Sequence, residues 1–134
     1  MNDNYIGNFI IIDDDPINNL ICSKFIRKVC PSSPIKTFTH PMDGVKYVLD
    51  PEVNGNTTKT ILLLDINMPT TSGWDVLDTF ISQPDYRKAQ YTIYMLSSSI
   101  ANEDRNRART HPLVSGFIEK PLTIASIQDL IAKQ

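Results

Sequence analysis

Phe9-Ile10-Ile11-Ile12 and Ile61-Leu62-Leu63-Leu64 are apolar at every position, and each run ends on an aspartate, Asp13 and Asp65. A strand with one wet face alternates apolar and polar side chains; a strand buried on both faces does not. Runs this short and this rich in branched residues read as strands covered on both sides, the condition of a parallel sheet. Parallel strands must be joined by long crossovers, usually helices. The remaining chain supplies them. Strand segments are expected at residues 8–13, 35–39, 61–65, 92–96 and 115–118. Between them, Ile17, Leu20, Ile21, Phe25 and Val29 recur at helical spacing and mark an expected buried face. Val45, Val48 and Leu49 do so more weakly, Trp74, Leu77, Phe80 and Ile81 strongly. Residues 102–110 read as a polar helix, and Ile124, Ile127, Leu130 and Ile131 as the last one. Residues 51–60 read as a connector. Five strand–helix pairs in alternation predict a three-layer, doubly wound α/β fold with a five-stranded parallel sheet.

The bulk properties narrow the function. The chain has 134 residues, read as a single domain over 1–134, with a net charge of −2. That balance offers no electrostatic grip on nucleic acid. No apolar run is long enough to span a membrane, and the start, MNDNYIGNF, lacks the basic residues that open a signal peptide. Cys22 and Cys30 are the only cysteines, with no second pair or histidine cluster, so reduced thiols are expected. A cytoplasmic location is the expectation.

In doubly wound sheets, ligands bind beyond the carboxyl ends of the strands. Those ends carry Asp13 and Asp14, then Asp65, then Ser97, Ser98 and Ser99, then Glu119, Lys120 and Pro121. Asp15 followed by Pro16 reads as a helix N-cap with proline in the first turn. Asp13 and Asp14 are left without that explanation. Carboxylates in sequence repel and lose hydration at a core edge, and a cation would offset the cost. The oxygen-only donor set suits magnesium, not zinc, and the spacing is not that of a calcium loop.

The segments "IIIDDDP", "LLLDINMP", "MLSSS" and "FIEKPL", in this order, resemble the receiver domain of two-component response regulators, and the likeness runs along essentially the whole chain. The resemblance implies a flavodoxin-like strand order of 2-1-3-4-5 and a stand-alone, chemotaxis-regulator-like receiver; a receiver cut from a larger protein would read the same. It implies that Asp65 is the phosphoacceptor and that Mg2+ is held by Asp13, Asp14, Asp65 and the backbone carbonyl of Asn67. It implies that Ser97 grips the phosphoryl group, that Lys120, before a cis-proline at Pro121, pairs with it, and that Phe117 is an aromatic switch. The implied partners are a sensor histidine kinase or histidine phosphotransfer protein and a downstream protein target, with neither nucleic acid nor membrane. The protein would not be an enzyme beyond accepting and losing its own phosphoryl group.

Two other readings stay open. One is a phosphatase-type hydrolase with an aspartyl nucleophile; Asn67, where such enzymes carry a second acid, argues against it. The other is a degenerate receiver that binds partners without phosphate, which the intact acids and Lys120 oppose. Departures from the family pattern are Thr70-Thr71-Ser72 before Gly73, Ser98 after the hydroxyl position, His111-Pro112-Leu113-Val114 before the last strand, and Leu122 after Lys120-Pro121. They bear on partner choice. Trp74 is expected to pack in the core. Arg105, Arg107 and Arg109 are expected to form a solvated face, and His40 and His111 to lie in turns without a catalytic role.

Overall fold

The computed structural model describes residues 7–50, 59–98 and 101–134. The connector over 51–58 and Ser99 lie outside the described residues. The elements are β1 (Asn8–Ile12), α1 (Pro16–Val29), β2 (Ile35–Phe38), α2 (Pro41–Leu49), β3 (Thr60–Asp65), α3 (Gly73–Ile81), α4 (Asp85–Lys88), β4 (Tyr91–Ser97), α5 (Asn102–Thr110), β5 (Val114–Glu119) and α6 (Ile124–Ala132). All strand pairs are parallel, in the order β2-β1-β3-β4-β5. The sheet therefore has the order expected, with a reversal of winding beside β1.

Alternation along the buried strands feeds two cores. Ile10, Ile12, Leu62, Leu64 and Met95 face one side and pack with Val45, Val48, Trp74, Leu77 and Phe80 of α2 and α3. Phe9, Ile11, Ile61, Leu63 and Leu96 face the other and pack with Cys22, Ile26, Ile127, Leu130 and Ile131 of α1 and α6. Each such aliphatic, fully buried, contributes roughly 1.5–3 kcal/mol. Both cysteines are buried and outside any disulfide, and burial first of all pushes Cys22 up to about 11, which keeps it protonated. No helix among the described residues is long and apolar enough to cross a membrane.

Two expectations need correction. The α3–β4 connection contains the extra short helix α4, which no apolar period announced because none of its residues is buried. The inward face of α1 follows the expected stripe only in its second half, where Val29 is buried and Phe25 packs against the core. Ile17, Leu20 and Ile21 are exposed, and Asn18, Asn19, Cys22 and Ser23 are buried in their place. The two asparagines turn inward because they bond to Asp13. Arg105, Arg107 and Arg109 are exposed, as expected, and Arg107 also makes a ring contact. Its guanidinium lies 4.6 Å from the ring centre of Trp74, whose Nε1 donates to Asp104 Oδ1 at 3.1 Å. The Trp74 ring also stacks with His111, centroids 6.2 Å apart. Helix α5 buries only Ala108, so these cation–π and polar contacts supply the attachment that an apolar stripe would.

Candidate functional site

Asp13 follows β1 directly, and Asp65 is the last residue of β3. The two strands are neighbours, so both carboxylates sit at one edge of the sheet, and both are buried. Asp14 reaches toward solvent beside them. Lys120 follows β5 and lies across the top of β4, because its N–H bonds to the Ser97 carbonyl at 2.8 Å. The Lys120–Pro121 peptide is cis, as expected. Its ammonium bridges two acids, Nζ lying 2.7 Å from Asp13 Oδ2 and 3.2 Å from Asp65 Oδ1.

Asp13 is held on every side. Its N–H bonds to the Phe38 carbonyl at 3.0 Å. Its Oδ1 accepts from the Asp15 N–H at 2.9 Å and its Oδ2 from Asn18 Nδ2 at 2.7 Å. Its carbonyl accepts from Asn19 Nδ2 at 3.0 Å. Asp15 caps α1 as expected, accepting from the Ile17 N–H at 2.9 Å with Pro16 in the first turn. The polypeptide beyond Asp65 turns tightly. The Asn67 N–H points at Asp65 Oδ1 at 3.4 Å, and the Gly73 N–H closes the loop on the Ile66 carbonyl at 2.9 Å. Helix α3 then starts from a capping box of Ser72 and Asp75.

The cluster holds three carboxyl groups and one ammonium, which contacts two of them. A ligand oxygen from each of Asp13, Asp14 and Asp65 lies within 4.8 Å of the others. Oxygen donors only, clustered at this spacing and short of positive charge, fit a hard divalent cation. Burial first, then the charge of Asp13, pushes Asp65 up to about 7, with Lys120 pulling the other way. Burial works against the Lys120 ammonium, but its hydrogen bond to Asp13 and the two facing carboxylates outweigh it and hold its pKa above the ordinary lysine value.

A pH dependence follows for the metal-free protein. An unfolded aspartate titrates near ~4, so between there and about 7 the folded state carries a proton on Asp65 that the unfolded chain lacks. The contribution of Asp65 is then fully stabilising below the lower value and is lost as pH rises through the upper one. Thermal melts without divalent cation should fall between about pH 4 and about pH 7, and Asp65→Asn should remove this component. An unchanged pH profile in that variant would rule out Asp65 as its source.

The structure thus gathers Asp13, Asp14, Asp65 and Lys120 at one point. Ser97 is buried at the adjoining end of β4, beside Glu119 in register, whereas Ser98 is exposed. Phe117 lies apart from the cluster. It pairs with Met95, two residues before Ser97, and lines a groove of about 470 Å³ with Arg105, Ala108 and Arg109 of α5. Sequence reasoning missed Asn18 and Asn19. Their signal was present, two amides directly behind the N-cap, but the aliphatic period around them pointed the other way.

The sequence profile described as "Response regulator receiver domain" matches residues 9–132. No curated protein matches the chain. Among solved structures, a two-component response regulator from Cytophaga hutchinsonii is 26% identical with a TM-score of 0.83, over 96% of this chain and 98% of that one. A response regulator receiver protein from Dyadobacter fermentans is 22% identical with a TM-score of 0.84, over 96% and 97%. A chemotaxis protein of Vibrio cholerae shares 13% identity at a TM-score of 0.73, over 96% and 98%, a likeness of fold.

Proposed function

The chain belongs to the response regulator receiver domain family, and on that premise we propose that Asp65 accepts a phosphoryl group from a phosphohistidine donor, a sensor kinase or phosphotransfer protein. The observation that carries the reading is the Lys120 bridge between Asp13 and Asp65 inside a cluster with two more negative groups than positive ones. In the step, an Asp65 oxygen attacks phosphorus in line. The P–N bond to the donor imidazole breaks, and its electron pair stays on that nitrogen, which is protonated from solvent. The product is an acyl phosphate.

Phosphoryl transfer depends mainly on position and charge neutralisation. Lys120 moves from the carboxylates toward the phosphoryl oxygens while remaining within reach of Asp65. Ser97 offers a hydroxyl donor from the end of β4. Asp14 and Asp65, with Asp13 and the Asn67 carbonyl, would hold Mg2+, which when bound supplies positive charge against the transferring oxygens. Asn67 cannot serve as a general acid, so the protein accepts and slowly loses one group and does not turn over phosphate esters. The output is a partner-binding face that includes Phe117 and changes when Ser97 engages the phosphoryl group.

Transfer of label from a phosphohistidine protein tests the reading: wild type should take it up and Asp65→Asn should not. Equal labelling of both would place the acceptor elsewhere, with Ser97 to Ser99 the first place to look. Mg2+ should also raise the melting temperature by mass action. Asp14→Asn, which removes one repelling charge, should raise it in the metal-free protein and blunt the Mg2+ effect. A melting curve indifferent to millimolar Mg2+ would sink the metal assignment.

A further inference from the structure

Helix α1 leaves Ile17 and Leu20 wet, 66% and 56% exposed, and buries two amides, Asn18 at 9% and Asn19 at 4%. Burying an amide is unfavourable unless it is bonded. Here both are bonded to one residue, Asp13. Asn19 fastens the Asp13 backbone. Asn18 does something else, because it donates to Oδ2, the same oxygen that Lys120 approaches at 2.7 Å. The other oxygen is occupied by the Asp15 N–H.

We infer that Asn18 is a positioning residue for phosphoryl acceptance: by sharing Asp13 Oδ2 with Lys120, it weakens the hold of Asp13 on the ammonium and lets it follow the phosphoryl group. The inference rests on the reading of Asp65 as phosphoacceptor. Its physical basis is that an acceptor oxygen dividing its electron density between two donors binds each less tightly than it would bind one. Lys120 already stands nearer Asp13 than Asp65, 2.7 Å against 3.2 Å. Without the amide, Asp13 would hold Lys120 harder. One lone pair of Oδ2 would also open toward the cation site, and the cluster would lose a neutralising dipole.

The two consequences have opposite signs, which separates positioning from mere support. Asn18→Ala should bind Mg2+ several-fold more tightly, read by calorimetric titration without any phosphodonor. The same variant should be labelled by acetyl phosphate more slowly at saturating Mg2+, on the order of tenfold, the scale of one hydrogen bond to a charged group. A structural defect would weaken both together, as Asn19→Ala is expected to do by loosening the Asp13 backbone. If Asn18→Ala does not fold, Asn18→Ser, which keeps a shorter donor, should show the same split at smaller size. Parallel weakening, or no change in either quantity, overturns the inference while wild type is labelled normally. A wild type that takes no label overturns the reading of Asp65, and this inference with it.

Discussion

Acetyl phosphate with Mg2+ is expected to add one phosphoryl group to the protein with no kinase present, and Asp65→Asn is expected to reduce the gain to background. The donor supplies only a good leaving group; position and charge come from the cluster itself. Lys120 stands 3.2 Å from the attacking carboxylate before any donor arrives. An amide is a poor nucleophile and forms no acyl phosphate, so the asparagine variant has no route through this site. The adduct should be lost in base and in hydroxylamine, which attacks the acyl carbon; a serine phosphate would survive. Lys120→Ala and Ser97→Ala should retain more labelling than Asp65→Asn, since neither forms the bond, and should lose more of the downstream response. Intact-mass spectrometry of the four proteins reads the labelling and its lability, and a partner-binding assay reads the response. A hydroxylamine-resistant gain of equal size in wild type and Asp65→Asn would end the assignment.

Gly73→Ala should damage the site from a distance in sequence. A β-carbon at position 73 would collide with the Asp65 carbonyl oxygen and come within 2.9 Å of Met95 Cε. The methionine end can move aside. The Asp65 carbonyl cannot, because it is backbone at the end of a strand paired on both sides, and the Gly73 N–H is bonded to the next carbonyl, Ile66, at 2.9 Å. Relief requires the loop from Asp65 to Gly73 to shift, and with it the carboxylate. Overpacking of this kind costs about 2 kcal/mol or more, which in a domain of this size lowers the melting point on the order of 5–10 °C. Acetyl phosphate labelling should slow as well, since the attacking oxygen is displaced. Melting and labelling indistinguishable from wild type would show that the approach is not tight.

β1 and β3 were legible because burial on both faces leaves an unbroken apolar run, and "FIII" and "ILLL" are too short and too rich in branched residues for a helix. Strand ends then named Asp13, Asp65, Ser97 and Lys120, since a parallel sheet brings its carboxyl ends to one edge. Helix α1 shows where this kind of reading stops. The aliphatic period through Ile17, Leu20 and Ile21 is the stronger signal in one dimension, and it marks the solvent face. Hydropathy ranks Ile above Asn at a buried position, but it knows nothing of an acid waiting on a neighbouring strand. The contact of Arg107 with Trp74 was invisible for a related reason. A spacing of two between arginines gives no helical stripe, yet a single arginine needs only one aromatic ring, and Trp74 comes from another helix.

What the sequence determined by itself was local or periodic: five strands, their order of appearance, the cap at Asp15, and the set of acids, hydroxyl and amine carried at the strand ends. Such features depend on neighbours a few residues away, and the chain states them directly. Only the tertiary structure decided pairings between distant segments. It set Lys120 on Asp13 more closely than on Asp65, aimed Asn18 at the same oxygen, laid Gly73 against the Asp65 carbonyl, and kept Phe117 apart in the groove beside α5. Each of these is fixed by how strand registers and helix rotations settle at once. That is a property of the packed whole, because a rotation of one helix exchanges every inward side chain for another.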